Sequence, residues 1–196
     1  MPTGVALRDV REQLFEAAER ILLRDGPSGL TSRAVTAEAG CAKGVLHRHF
    51  TDFDGFLADL VLDRIARLER QAAELRAAAG TGGVVANLAA ALTELFGPVA
   101  VAIVALVTFR DELRARLRRT RPTGLPLLTE ATAMVADYLA AERALGRIST
   151  AADPATLAPT LIGTAHLLFA DRTATPPDAA AVHRMVAATL EGVLPR

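Results

Sequence analysis

Between positions 31 and 49 stand Thr31, Ser32, Arg33, Lys43, His47, Arg48 and His49, a concentration of hydrogen-bond donors and cations in a short stretch. Lys43 is the only lysine in the chain. Such groups suit recognition of an anionic, acceptor-rich surface, where cations and hydroxyls hold phosphates and a few side chains read base edges. They suit other chemistry poorly. His47 and His49 are two apart, so on a helix they point to different faces and make a poor metal pair. Cys41 is the sole cysteine, which excludes an intramolecular disulfide framework and a multi-cysteine zinc site. No Ser/His/Asp arrangement, glycine-rich phosphate loop or metal-spaced cluster is visible, so neither an enzyme nor a bound cofactor is expected.

The elements that must position these groups are helices. Half of the 196 residues are hydrophobic (51%), only 4% are aromatic, and Ala and Leu dominate, so an all-α fold is expected. Val10, Leu14, Ala17, Ala18, Ile21 and Leu22 recur at helical spacing until Gly26-Pro27 stops the first helix. Thr31 is a good N-cap for a brief second helix reaching about Ala39. Gly40 makes the turn, and a third helix runs from about Ala42 to Phe50, with Cys41 a small buried hydrophobe at the turn. Two such helices joined through a glycine are what a helix-turn-helix requires. A long fourth helix opens at Thr51-Asp52, its stripe running from Phe53 through Phe56, Leu60, Ile65 and Leu68 to Leu75. Gly80-Thr81-Gly82-Gly83 breaks the chain. Beyond it helices are expected over Val84–Phe96, Pro98–Arg119, Pro122–Leu145, from Asp153-Pro154 to near Asp171, and from Asp178 onward.

The segment G-L-T-S-R-A-V-T-A-E-A-G-C-A-K-G-V-L-H-R-H-F-T-D-F-D-G-F, Gly29 to Phe56, resembles the signature of the TetR family of transcriptional regulators. The resemblance covers roughly residues 8 to 65. It implies a domain over 1–52 with three helices and a helix-turn-helix, then a ligand-binding and dimerisation domain over 53–196, about nine helices in all. Within the first domain Lys43 would supply a flexible cation, Gly44 a close backbone approach and Val45 a contact to a thymine methyl, while Arg48 would read guanine or hold a phosphate. By analogy with the family, His47 and His49 are phosphate donors. Thr31, Ser32 and Arg33 open the second helix, where free amides favour a phosphate. Three departures stand out. Ala42 replaces the usual Ser or Thr that caps the recognition helix, His47 replaces a Tyr, and Phe53, flanked by Asp52 and Asp54, replaces a phosphate-binding Lys.

The resemblance further implies a homodimer joined through the last two helices, about 154–171 and 178–194, bound to a palindromic double-stranded DNA operator. A small-molecule effector would enter the second domain, with Phe96, Val104, Phe109, Met134, Tyr138, His166 and Phe169 as candidate lining residues. So few charges in those helices favour an apolar or aromatic effector. The basic cluster Arg110, Arg114, Arg116, Arg118, Arg119 and Arg121 has the look of a second nucleic-acid patch but reads better as the solvated end of a long helix, where cations complement the dipole. The alternative is a protein that keeps this fold and a ligand site but no longer binds DNA specifically. A formal net charge of zero means that any DNA contact is local. The apolar run Leu95–Phe109 is too short for a membrane span and contains Gly97-Pro98. With no signal-like N-terminus, a cytoplasmic location is expected.

Overall fold

A computed structural model describes residues 4–170 and 175–194. Among the described residues there are ten helices and no strand. They fall into two compact units: residues up to Asp63 together with Ala102–Pro126, and Arg64–Val101 together with the chain from Leu127 onward.

The first unit begins with α1 (Gly4–Gly29), whose helical geometry is interrupted at Gly26, with φ at 72° just ahead of Pro27. This is the stop that the sequence marks, since a left-handed φ is open to glycine and proline cannot donate to the preceding turn. Then come α2 (Ser32–Glu38) and α3 (Gly44–His49). Thr31 Oγ1 accepts the Ala34 N–H at 3.1 Å, making the predicted cap. Gly40 turns the chain between α2 and α3 with φ at +64°. Leu14, Ala18, Ile21, Leu22, Val35 and Leu46 are buried together as an apolar interior. Phe15, Phe50 and Phe56 close it as an aromatic triad with ring centroids 5.0–5.9 Å apart. Edge-on and tilted ring pairs at such separations add roughly 0.5–1.5 kcal/mol each beyond burial.

α4 (Phe53–Ala77) starts in this first unit and ends in the second. Its first turns bury Phe56, Leu57, Leu60 and Val61, which explains why the first unit reaches Asp63 and not only the expected 52. The same unit also gathers the end of α6 (Pro98–Phe109) and all of α7 (Asp111–Leu117). One helix was expected over Pro98–Arg119. Instead the chain breaks at Arg110, whose backbone is extended (φ −112°, ψ 102°). No Gly or Pro signals that break; Arg110 leaves the helix where its guanidinium meets Asp54 at 3.1 Å and lies over the Phe53 ring.

The second unit holds α5 (Val84–Leu95), α8 (Leu128–Ala144), α9 (Pro154–Phe169) and α10 (Ala179–Thr189). α8 packs on α9, and α10 packs on both α5 and α9. A start at Pro122 was expected for α8, but it begins six residues later. Gly124 takes a left-handed φ, Pro126 disfavours helix before it, and Leu127 itself sits at φ 71°. The Glu130 carboxylate accepts the Leu127 N–H at 2.8 Å and so caps the delayed start. α9 opens as predicted, Asp153 accepting the Ala155 N–H with Pro154 in the first turn. Asp171, near which its end was expected, lies outside the described residues. On α10, Val182, Val186 and Leu190 form the buried stripe. Among the described residues no single helix is long and apolar enough to cross a membrane.

Candidate nucleic-acid interface and ligand pocket

α3 is a six-residue helix with one inward anchor, Leu46 (0% exposed), and the Phe50 ring closing its end. That leaves the rest of its surface outward. Ala42, Lys43, Gly44, His47 and Arg48 are exposed, while Val45 and His49 are half-buried. Among the described residues Lys43, His47 and Arg48 form no ion pair, so the two cations Lys43 and Arg48 and the His47 ring nitrogens face outward. The residue before α3 is Lys43, one position past the Ala42 that the resemblance puts at the cap, and it makes no side-chain cap bond.

The second helix carries the other predicted donors. Thr31 and Arg33 are exposed, whereas the Ser32 hydroxyl is enclosed without a hydrogen-bond partner. α2 is braced on α1 by Glu38, whose carboxylate takes Arg20 Nε at 2.9 Å and Arg24 at 3.0 Å. Those two guanidinium groups hold the Glu38 carboxyl below the usual carboxylate range. Cys41 is half-buried, its N–H donated to the Thr36 carbonyl.

Sequence reasoning missed how the end of α3 is fixed. The Arg11 guanidinium lies 4.5 Å from the centre of the Phe50 ring, donates to the His49 carbonyl and pairs with Asp59 at 2.8 Å. It also missed why Phe53 is flanked by acids. Asp52 takes both terminal nitrogens of Arg116, at 2.6 and 2.8 Å, and its Oδ1 accepts the Gly55 N–H at 2.6 Å. Arg116 and that N–H hold the Asp52 carboxyl below its ordinary range. Asp54 takes Arg110, and Phe53 stacks on Phe56 at 5.7 Å. Alternating charge between positions 52–54 and 110–116 was the available signal, but nothing in the spacing says that these segments meet.

The seven candidate ligand residues divide. Phe96, Met134, Tyr138, His166 and Phe169 belong to the second unit, Val104 and Phe109 to the first. The structure brings three of them together: the Phe96 ring stacks on Phe169 and faces His166, both centroids at 5.9 Å. His166 Nδ1 is enclosed without a partner, and burial lowers the imidazole pKa. Met134 and Tyr138 are interior, Val104 is buried, and Phe109 is 79% exposed. The Tyr138 hydroxyl is already engaged, accepting from Asn87 at 3.0 Å and bonded to Glu142. Burial, then Glu142, pushes that hydroxyl's pKa above its ordinary value. A separate cavity of about 410 Å³ in the second unit is lined by Arg64, Arg67, Leu68, Gln71, Glu94 and Leu95, and by none of the seven.

Residues 14–60 match the family profile described as bacterial regulatory proteins, tetR family. No curated protein sequence matches the chain. Among solved structures it is similar to a putative TetR-family transcriptional regulator from Rhodococcus sp., with 19% identity, TM-score 0.69 and coverage of 96% of this chain and 100% of that one. A TetR-family transcriptional regulator from Agrobacterium tumefaciens gives TM-score 0.73 at 16% identity, covering 96% and 99% of the two chains. The regulator FadR from Bacillus subtilis, solved in complex with stearoyl-CoA, gives TM-score 0.68 at 16% identity, covering 93% and 98%. Identities this low establish the fold.

Proposed function

We infer that this chain, whose N-terminal domain and fold are those of the TetR family of bacterial regulators, is a sequence-specific DNA-binding transcriptional regulator. The observation that carries this reading is the outward face of α3, where Lys43, Gly44, His47 and Arg48 stand exposed without ion pairs on a helix anchored by Leu46 and Phe50. In the major groove Lys43 and Arg48 meet guanine edges or phosphates and Val45 meets a thymine methyl. His47, His49, Thr31 and Arg33 hold the backbone and fix the register.

Two copies pair through α9 and α10, so two recognition helices meet successive turns of a palindromic operator, about 34 Å apart. The protein acts as a repressor in the cytoplasm, released by a small apolar or aromatic effector. That effector sits against the Phe96–Phe169 pair, with His166 Nδ1 as its polar contact. It acts only through its different affinity for the DNA-competent and DNA-incompetent conformations.

The test is titration of the full chain onto the DNA flanking its own gene at two salt concentrations, beside a Lys43→Ala/Arg48→Ala variant. Tight binding that resists random competitor is expected. The variant should lose roughly ten- to a thousandfold of it, since a good base contact discriminates by about 1–3 kcal/mol. Wild-type binding no stronger than to random DNA would overturn the reading.

A further inference from the structure

The basic stretch that ends α7 is only partly explained by its ion pairs. Arg110 is held by Asp54, Arg114 by Asp111 and Arg116 by Asp52. Arg119 is exposed and forms no ion pair among the described residues. Its position is nevertheless set. Leu113 and Leu117 are buried, and the two-pronged Arg116–Asp52 pair fixes the last turn of α7 to the first turn of α4. A Cβ at Gly55 would come within 2.6 Å of an Arg116 terminal nitrogen, so a side chain there would push the guanidinium aside.

Beside this pair lies a cavity of about 320 Å³ within the first unit, whose wall includes His49, Thr51, Gly55, Arg116, Arg119 and Thr120. It therefore joins the last residue of the recognition helix to the end of α7. The acids around it are already matched, Asp59 by Arg11 and Asp52 by Arg116. Arg119, whose charge acts on Asp52 without pairing with it, is the cation that these pairs leave over, and Thr51 on the same wall is exposed. A concave, half-polar site with one surplus guanidinium and adjoining hydroxyl and imidazole groups fits a phosphate.

We propose that this cavity seats a phosphate of the DNA backbone, with Arg119 as its cation and Thr51 and His49 beside it, making the turn that follows α7 a second DNA-contacting element. The proposal rests on the DNA-binding reading above and adds a contact that carries no sequence information. Removing one phosphate contact lowers affinity equally for all sequences and reduces the salt dependence by about one counterion.

The experiment measures binding of the full chain, by fluorescence anisotropy over a series of salt concentrations, to the DNA flanking its gene and to a random-sequence duplex. Arg119→Ala should weaken both by a similar factor, on the order of tenfold at moderate salt. It should also reduce the slope of log affinity against log salt by about one. Arg119→Lys, which keeps the charge, should retain the slope. Unchanged affinity and slope in Arg119→Ala, while Lys43→Ala/Arg48→Ala loses specific binding, would overturn the proposal and leave the DNA reading intact. Loss confined to the specific duplex, or a Lys variant that loses the slope as Ala does, would equally overturn it. A wild type that binds neither duplex sinks both readings.

Discussion

Tyr138 and Glu142, one turn apart on α8, are both 0% exposed, which for a carboxylate demands a full set of partners. Glu142 Oε1 accepts the Gly80 N–H at 3.3 Å and the Tyr138 hydroxyl is bonded to the carboxyl group, while Oε2 has no hydrogen bond and is balanced only by the Arg147 guanidinium, 3.4 Å away at Nε. Asn87 completes the cluster from α5, donating to the Tyr138 hydroxyl and also to the Thr81 carbonyl at 2.9 Å. The glycine-rich loop between α4 and α5 is thus held by a buried acid 62 residues away in sequence. Tyr138→Phe removes one bond from Glu142 and one from Asn87, so it should lower stability by about 1–3 kcal/mol. Urea unfolding checks this, and an unshifted midpoint would show that water or Arg147 replaces the hydroxyl. The Tyr138 hydroxyl is thus engaged within the fold, whereas the enclosed His166 Nδ1, the polar contact of the effector reading proposed above, has no partner.

At the scale of elements, the turn between α2 and α3 decides whether the recognition helix stands clear of the domain. Gly40 holds φ at +64°, and a Cβ added there would touch nothing within 4 Å. Gly40→Ala therefore meets only the backbone cost of the left-handed region, about 1–2 kcal/mol. The thermal midpoint should fall with no change in the DNA sequence preferred. A shift in preference would mean that the turn also steers α3. The sequence made this part of the fold readable because each boundary has its own local chemistry: Gly26-Pro27, the Thr31 cap, Gly40, and the Asp153-Pro154 opening of α9. It hid the boundaries that depend on distant partners. Arg110 breaks α6 from α7 in a run with no glycine or proline, turning to Asp54 and Phe53 more than fifty residues away. Within the candidate site, Lys43 and Arg48 are candidates through the resemblance of Gly29–Phe56 to the TetR signature, which places them on the short helix after the Gly40 turn. Arg11, Asp52 and Arg116 could not be named, because their roles lie in contacts between elements.

At the scale of the whole molecule, function as proposed needs two copies. On α9 the residues Thr160, Gly163, Thr164 and Leu167 recur at helical spacing on one exposed face, and Leu167 is 76% exposed. A large apolar side chain flanked by small residues suits close packing against a second helix. Leu167→Arg should weaken self-association at least about tenfold, since it places an unpaired charge in that contact. Sedimentation at graded concentrations reads this directly; a variant that stays dimeric would move the interface elsewhere. The first compact unit has one further consequence. It is not a continuous stretch of chain, since Ala102–Pro126 returns to complete what the residues up to Asp63 begin. An exchange of reading heads between relatives that joins the genes near residue 63 would strand Asp52 and Asp54 without Arg116 and Arg110. A hybrid that takes both pieces from the same parent keeps these pairs and is expected to unfold at a higher temperature than one joined near residue 63.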